Sequence, residues 1–201
     1  SFDPALLDGT PIRTSKLDPR ELVPGESVTV VGLSGDSRVR ALATTVSSVE
    51  GVDFPLSRTL RFRESNLEVA SLVNAPTDFD GVIAGRDGRV RALWSSFATE
   101  SGRDFVQINR AIGAELVVEM VEALRTGTPL YSLEAEFESV PISAARKLGL
   151  DDAWVARLES LDGAQRQALR VTRVTAGSPA AELLREGDLL LAVDGQPVNR
   201  P

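Results

Sequence analysis

From Ser27 to Phe105 apolar and polar positions alternate in short runs, "SVTVVGL", "VRALATTVSSV", "LRFRE", "LEVASLV", "GVIAG", "RVRALWSSF" and "DFVQI", each bounded by turn residues. Such alternation, rich in β-branched and aromatic residues, predicts strands with one buried face, and their succession predicts an antiparallel β unit. "GRDGRV" offers a tight return at Gly85 to Gly88, where residues that tolerate positive φ can join two strands as a hairpin.

The period then lengthens. Ile112, Leu116, Val117, Met120, Val121 and Leu124 fall at helical spacing, which predicts a helix with Asn109 as N-cap and Gly127 at its end. Its apolar stripe is expected to pack on the preceding sheet. "TGTP" at 126–129 punctuates the chain and predicts one unit over residues 1–128 and a smaller one over 129–201. In the smaller unit "YSLEAEFESV" and "LRVTRV" read as strands, and a short helix ends at Gly149. A second helix from Asp151 puts Trp154, Val155, Leu158 and Leu161 on one face, so Trp154 is expected in a core. "GSPAAELL" is a capped helix, with Ser178 to accept free N–H groups and Pro179 in the first position, and "DLLLAVDGQPV" is a strand entering an Asp-Gly turn.

Composition excludes more than it suggests. The 201 residues are 42% hydrophobic and 25% charged, an ordinary globular balance. No apolar run approaches the roughly 18 residues of a membrane span. The net charge of −7 argues against a nucleic-acid partner, whose binders present a basic face. Histidine and cysteine are both absent, so this chain alone builds neither a Ser/His/Asp triad, a His-ligated zinc site, a thiol nucleophile nor a disulfide. No cofactor is expected: "GSPAAELL" lacks the glycine cradle and lysine of a nucleotide site. Asp78, Asp80 and Asp87 sit in turn-rich contexts without calcium-loop spacing, so they are expected to stabilise turns rather than hold metal or move protons. Arg58, Arg61 and Arg63 are expected on a solvated strand face. With Ser1 first, no leader after it and Pro201 last, the chain is expected to be a piece of a longer polypeptide.

"VTRVTAGSPAAELLREGDLLLAVDGQPV", residues 171–198, resembles the PDZ domains of HtrA/Deg-like serine proteases. Upstream, "LVPGESVTVVGL" resembles the turn and strand that open the second β-barrel of the trypsin-like unit in that family, and "FVQINRAIGAELVVEMVEALRTG" resembles its final strand and closing helix. The resemblance implies a mainly β fold with helices: a C-terminal trypsin-like β-barrel followed by a truncated α+β PDZ-like domain.

It also implies a damaged site. Active members carry the nucleophile in a Gly-Asn-Ser-Gly-Gly-Pro-Leu loop followed by a hairpin with Asp-Gly at its tip. Matching Gly81 to Leu93 with the latter half of that pattern puts Thr77, Asp78, Phe79 and Asp80 on Gly, Asn, Ser and Gly, so that Phe79 stands where the attacking hydroxyl would be. A phenyl ring has neither a proton to lose nor a lone pair to attack with. Thr77 and Asp80 replace glycines, and Asp78 and Asp80 put carboxylates beside the place an oxyanion would form. Asp3, in "FDPALL", matches the triad aspartate as a relic. In the PDZ-like part Ser132, Leu133, Glu134 and Ala135 fall on the peptide-binding loop that receives a ligand's terminal carboxylate. Glu134 replaces a small glycine there; two like charges at 4 Å repel by about 1 kcal/mol in water and about 4 kcal/mol at an effective dielectric of 20. The family's next helix and strand, one wall of the groove, would follow residue 201.

The expectation is therefore a pseudoprotease segment plus PDZ-like module, most like the degenerate unit of tandem members, with a regulatory, scaffolding or peptide-binding role in protein quality control. Its partners would be unfolded or extended polypeptide segments or other domains of the same protein, with homo-oligomers in view. The relatives imply a bacterial envelope or periplasm. The rival reading is the C-terminal part of an active serine endopeptidase whose triad is completed outside this chain, with Ser71, Ser95 and Ser96 as the nearby hydroxyls. A third is a module that takes peptides by strand addition along "LEAEF".

Overall fold

A computed structural model describes residues 5, 8–9, 14–52, 66–101, 104–161 and 165–201. The alternating runs form β1 (Ser27–Ser34), β2 (Val39–Gly51), β3 (Glu68–Leu72), β4 (Phe79–Ala84), β5 (Val90–Ser101) and β6 (Asp104–Gly113). They close into a barrel in the order β1-β2-β3-β6-β5-β4, antiparallel at every pairing. Inward positions supply its core: Val28 and Val30 of β1, Val46, Ala70 and Leu72, Phe79 and Ile83 of β4, Ala92 and Trp94 of β5, and Ala111. Leu22 joins them from the segment before β1. "LRFRE", with Arg58, Arg61 and Arg63, and Asp3 lie outside the described residues.

The junction after the barrel corrects one expectation. Residues 108–113 stay in β6, paired from Ile108↔Phe97 to Gly113↔Ala92, so Asn109 stands in mid-strand opposite Ser96 rather than capping a helix. A ten-residue antiparallel ladder fixes this segment, and the helical spacing that includes Ile112 does not outweigh it. Helix α1 (Ala114–Thr126) begins instead at the extended Gly113. It ends where the sequence indicates, at Gly127, whose φ of 69° is the left-handed cap geometry and whose N–H donates to the Ala123 carbonyl. Only the start of the apolar stripe packs toward the sheet: Ala114 is buried and Leu116 and Val117 are half-buried, whereas Met120, Val121 and Leu124 are exposed.

The remaining chain forms a three-stranded sheet, ordered β7 (Ala135–Pro141), β8 (Gln167–Val174), β9 (Leu189–Leu190). Helices α2 (Ile142–Lys147), α3 (Asp152–Leu161) and α4 (Ala180–Leu183) accompany it. Strands β10 (Ala192–Val193) and β11 (Gln196–Pro197) form a hairpin whose central pair, Asp194 and Gly195, has φ of 50° and 77°. Two successive positive φ values are what an Asp-Gly turn supplies. The Asp151 carboxylate accepts the Trp154 N–H at 2.8 Å, starting α3, and Val155 and Leu158 turn into a core with Val140, Ile142 and Ala168. Trp154 packs at the edge of that core beneath the Arg157 guanidinium, 4.8 Å from its ring centre, while Leu161 points outward. Ser178 Oγ accepts the Ala181 N–H at 3.2 Å and Pro179 has helical φ and ψ, as the sequence indicates.

Barrel and sheet meet along the outer edge of β7. The Asn66 side chain, just before β3, donates from Nδ2 to the Ala135 carbonyl at 2.7 Å and accepts the Phe137 N–H on Oδ1 at 2.9 Å. Arg200 forms a two-pronged ion pair with Glu68 of β3 and reaches Glu21 at 3.0 Å, which raises the guanidinium pKa further above its already high value. Gly51 at the end of β2 lies at this junction, where even a Cβ would stand in ordinary van der Waals contact, 3.6 Å from Ser139 Oγ and 3.7 Å from the Pro201 ring.

Candidate functional site

Residues 77–81 lie where β4 begins. Thr77, Asp78 and Asp80 are exposed, and Phe79 between them turns into the barrel core. Pairing places Ser34 opposite Phe79 and Gly32 opposite Gly81. The ring occupies the space above Gly32: a Cβ on that glycine would lie 2.7 Å from Phe79 Cδ2 and would also collide with the Asp80 carbonyl. None of Thr77, Asp78, Phe79 or Asp80 has a positive φ, so the loop does not use the left-handed backbone that glycine supplies. At the alignment-derived nucleophile position the chain presents a buried hydrocarbon ring.

The structure separates the three aspartates. Asp78 and Asp80 lie at the start of β4, whereas Asp87 lies past its other end, where it accepts the Arg89 N–H at 3.1 Å in the hairpin turn. Four strand steps from Asp80 to Ala84 carry the chain roughly 13 Å before the turn that holds Asp87. Among the described residues no group of three or more His, Cys, Asp or Glu converges in metal-ligand geometry.

Ser71, Ser95 and Ser96 sit on the barrel wall. Ser95 pairs with Arg110 and Ser96 with Asn109 across β5 and β6, and Ser71 lines a cavity of about 180 Å³ with Val69, Phe97, Ile108 and Arg110. Arg110 instead donates to the Asn109 carbonyl at 2.9 Å. Among the described residues no basic side chain is hydrogen-bonded to any of the three hydroxyls.

The loop assigned to carboxylate binding is partly self-satisfied. Glu134 holds a φ of 52°, an uncommon conformation for a residue with a Cβ, and its N–H donates to Ser132 Oγ at 2.9 Å. Its carbonyl accepts from Thr175 at 2.8 Å. Leu133 is exposed and Ala135 buried, with the Ala135 carbonyl held by Asn66. One backbone donor of the loop is thus taken by its own serine, and a carboxylate side chain stands beside it.

Sequence reading missed the buried Arg91. Strand alternation sends it outward from the barrel, opposite the inward Ala92, where solvent would be expected. Residues 16–26 cover that face instead: Asp18 N–H donates to the Val90 carbonyl at 2.8 Å and Val90 N–H to the Lys16 carbonyl at 2.9 Å. Arg91 then meets Glu26 at 2.5 Å, the Glu21 carbonyl at 2.7 Å and the Arg20 carbonyl at 3.0 Å. Asp18 lies beside it, its carboxyl held down at a pKa of about 2, chiefly by the hydrogen bond from Arg20. Nothing in the local pattern announces this, because the covering segment has no regular period.

The comparisons fit this architecture. A family model for the PDZ domain matches residues 170–201. A PDZ domain-containing protein of Schizosaccharomyces pombe is 31% identical over 99% of this chain and 20% of its own length. Protease Do-like 7 of Arabidopsis thaliana is 31% identical over 98% and 20%, and the pro-apoptotic serine protease NMA111 of Phaeosphaeria nodorum 30% identical over 99% and 20%. Among solved structures, an HtrA-type protease, AlgW with tripeptide, superposes with a TM-score of 0.51 at 18% identity, covering 92% of this chain and 57% of that one. The chain is a homologue of the HtrA/Deg-like serine proteases that carry a PDZ domain, with a trypsin-like barrel and PDZ fold. It spans about one fifth of the length of the curated relatives it matches.

Proposed function

We propose that this segment is a non-catalytic trypsin-like unit, residues 1–128, joined to a PDZ-like unit, residues 129–201, that serves a longer HtrA/Deg-like protein by scaffolding and by holding extended polypeptide. One observation supports the reading: Phe79, which the family resemblance sets at the nucleophile position, has its ring built into the barrel core above Gly32. The absence of histidine from all 201 residues supports it, because a restored serine would have no imidazole in this chain to take its proton. The polypeptide-holding role rests on the outer edge of β7, which heads its sheet and turns alternate backbone groups away from β8. With Glu134 and its internally bonded N–H at one end, that edge suits an internal extended segment better than a free C-terminus.

The named proteases among the relatives favour a second statement, about the whole protein: acyl transfer, where it occurs, is the work of residues outside this segment. Incubation of the isolated chain with unfolded casein tests the proposal. No cleavage above a boiled control is expected; turnover that co-purifies with the chain would refute it.

A further inference from the structure

The first rung of the β7 edge is already taken. Glu134, at the start of that edge, bonds toward β8, and alternation then turns Ala135, Phe137 and Ser139 away from β8. An added strand would bond to the backbone groups of these three residues. Asn66 holds two of them: its side-chain amide pairs with the Ala135 carbonyl and the Phe137 N–H at once, as one residue of an incoming strand would. Beyond this clamp the edge continues into a cleft of about 440 Å³, lined by Phe137, Glu138 and Ser139 on one side and Glu50, Gly51 and Val52 on the other. Among the described residues Ser139 Oγ, buried in that region, has no hydrogen-bond partner, and it is a polar group that an entering backbone could satisfy.

We infer that Asn66 is an autoinhibitory strand mimic: it closes the peptide-adding edge of β7, and an extended polypeptide binds there by displacing it and prising the start of β3 away from the sheet. The inference rests on the edge-binding reading above. Asn66 directly precedes the Leu67 whose carbonyl accepts the Val52 N–H at 2.8 Å, and Glu68 next to it holds Arg200, so displacement loosens the contact between barrel and sheet. Coupling is reciprocal: a ligand that separates barrel from sheet must bind more tightly once they are already apart.

The test measures binding of a blocked heptapeptide of alternating lysine and valine by calorimetry, and amide exchange at Phe137, in wild type, Asn66→Ala, Arg200→Ala and Asn66→Ala with Ser139→Pro. Proline at 139 removes an edge donor without touching the ladder to β8. Expected results are faster exchange at Phe137 in Asn66→Ala with Trp94 exchange unchanged, an affinity gain of roughly five- to a hundredfold from freeing two hydrogen-bonding groups, a smaller gain in Arg200→Ala, and loss of binding in the double variant. Equal affinity in wild type and Asn66→Ala, with Ser139→Pro still abolishing it, overturns the inference and leaves edge binding standing. No binding in any variant overturns edge binding itself, and the inference with it.

Discussion

Phe79 and Gly32 fit one another as ring and recess: a Cβ on Gly32 would stand 2.7 Å from the ring's Cδ2 atom. The recess therefore exists only because residue 32 has no side chain. Gly32→Ala must displace the ring and the Asp80 carbonyl together, and overpacking of this kind costs about 1–3 kcal/mol. Urea unfolding followed by Trp fluorescence should show a lower midpoint at unchanged slope.

Phe79→Ser places a hydroxyl where the family resemblance sets the nucleophile, and on the proposed reading it should restore nothing. The substitution removes a core ring, a loss of about 3–5 kcal/mol by analogy with Phe→Ala. The expected outcome is a destabilised barrel with no gain in hydrolysis of an activated ester above wild type.

Arg91→Met should destabilise by about 3–5 kcal/mol, because it strands Glu26 and the Arg20 and Glu21 carbonyls that the guanidinium satisfies. Guanidine would screen such charges, so urea is the denaturant of choice. Arg125→Met is the control: its partner Glu122 is exposed, and little change is expected.

Asp18 sets an acid limb. Its carboxyl titrates at about 2 in the folded chain and near the ordinary 3.9 when unfolded, so it contributes stability above about pH 4 that is lost as pH falls toward 2. Asp18→Asn should flatten that part of the stability profile and leave the pH dependence above 5 unchanged, as read by thermal midpoints from pH 2 to 7.

Glu134→Gly should help a terminal carboxylate. It removes a like charge and relieves a φ of 52° that glycine adopts freely. A peptide with a free C-terminus should gain about fivefold or more in affinity over wild type, whereas its C-amidated form should not, as fluorescence anisotropy would report.

Much of the fold was legible because its periods are local. Alternation located the barrel strands that the structure describes, and Gly127, Ser178 and the Asp194-Gly195 turn marked their elements through requirements that single residues reveal. The junction at Asn109 was misread because Ile112 fits a helical stripe and a strand face equally, and only pairing with β5 decides between them. The exposure of Met120 and Leu124 was equally hidden, since periodicity tells which side of a helix is apolar but not what covers it. The pattern also singled out Phe79, which the structure buries in the barrel core at the start of β4. It did not single out Arg91 and Asn66, because each acquires its role from contacts with segments about 70 residues away.

Fluorophosphonate labelling of the purified chain, read by intact mass and peptide mapping, tests most directly whether this barrel has lost its nucleophile. The chain should keep its unlabelled mass at probe concentrations that fully modify an active serine hydrolase. A stoichiometric adduct on Ser71, Ser95 or Ser96 would contradict it.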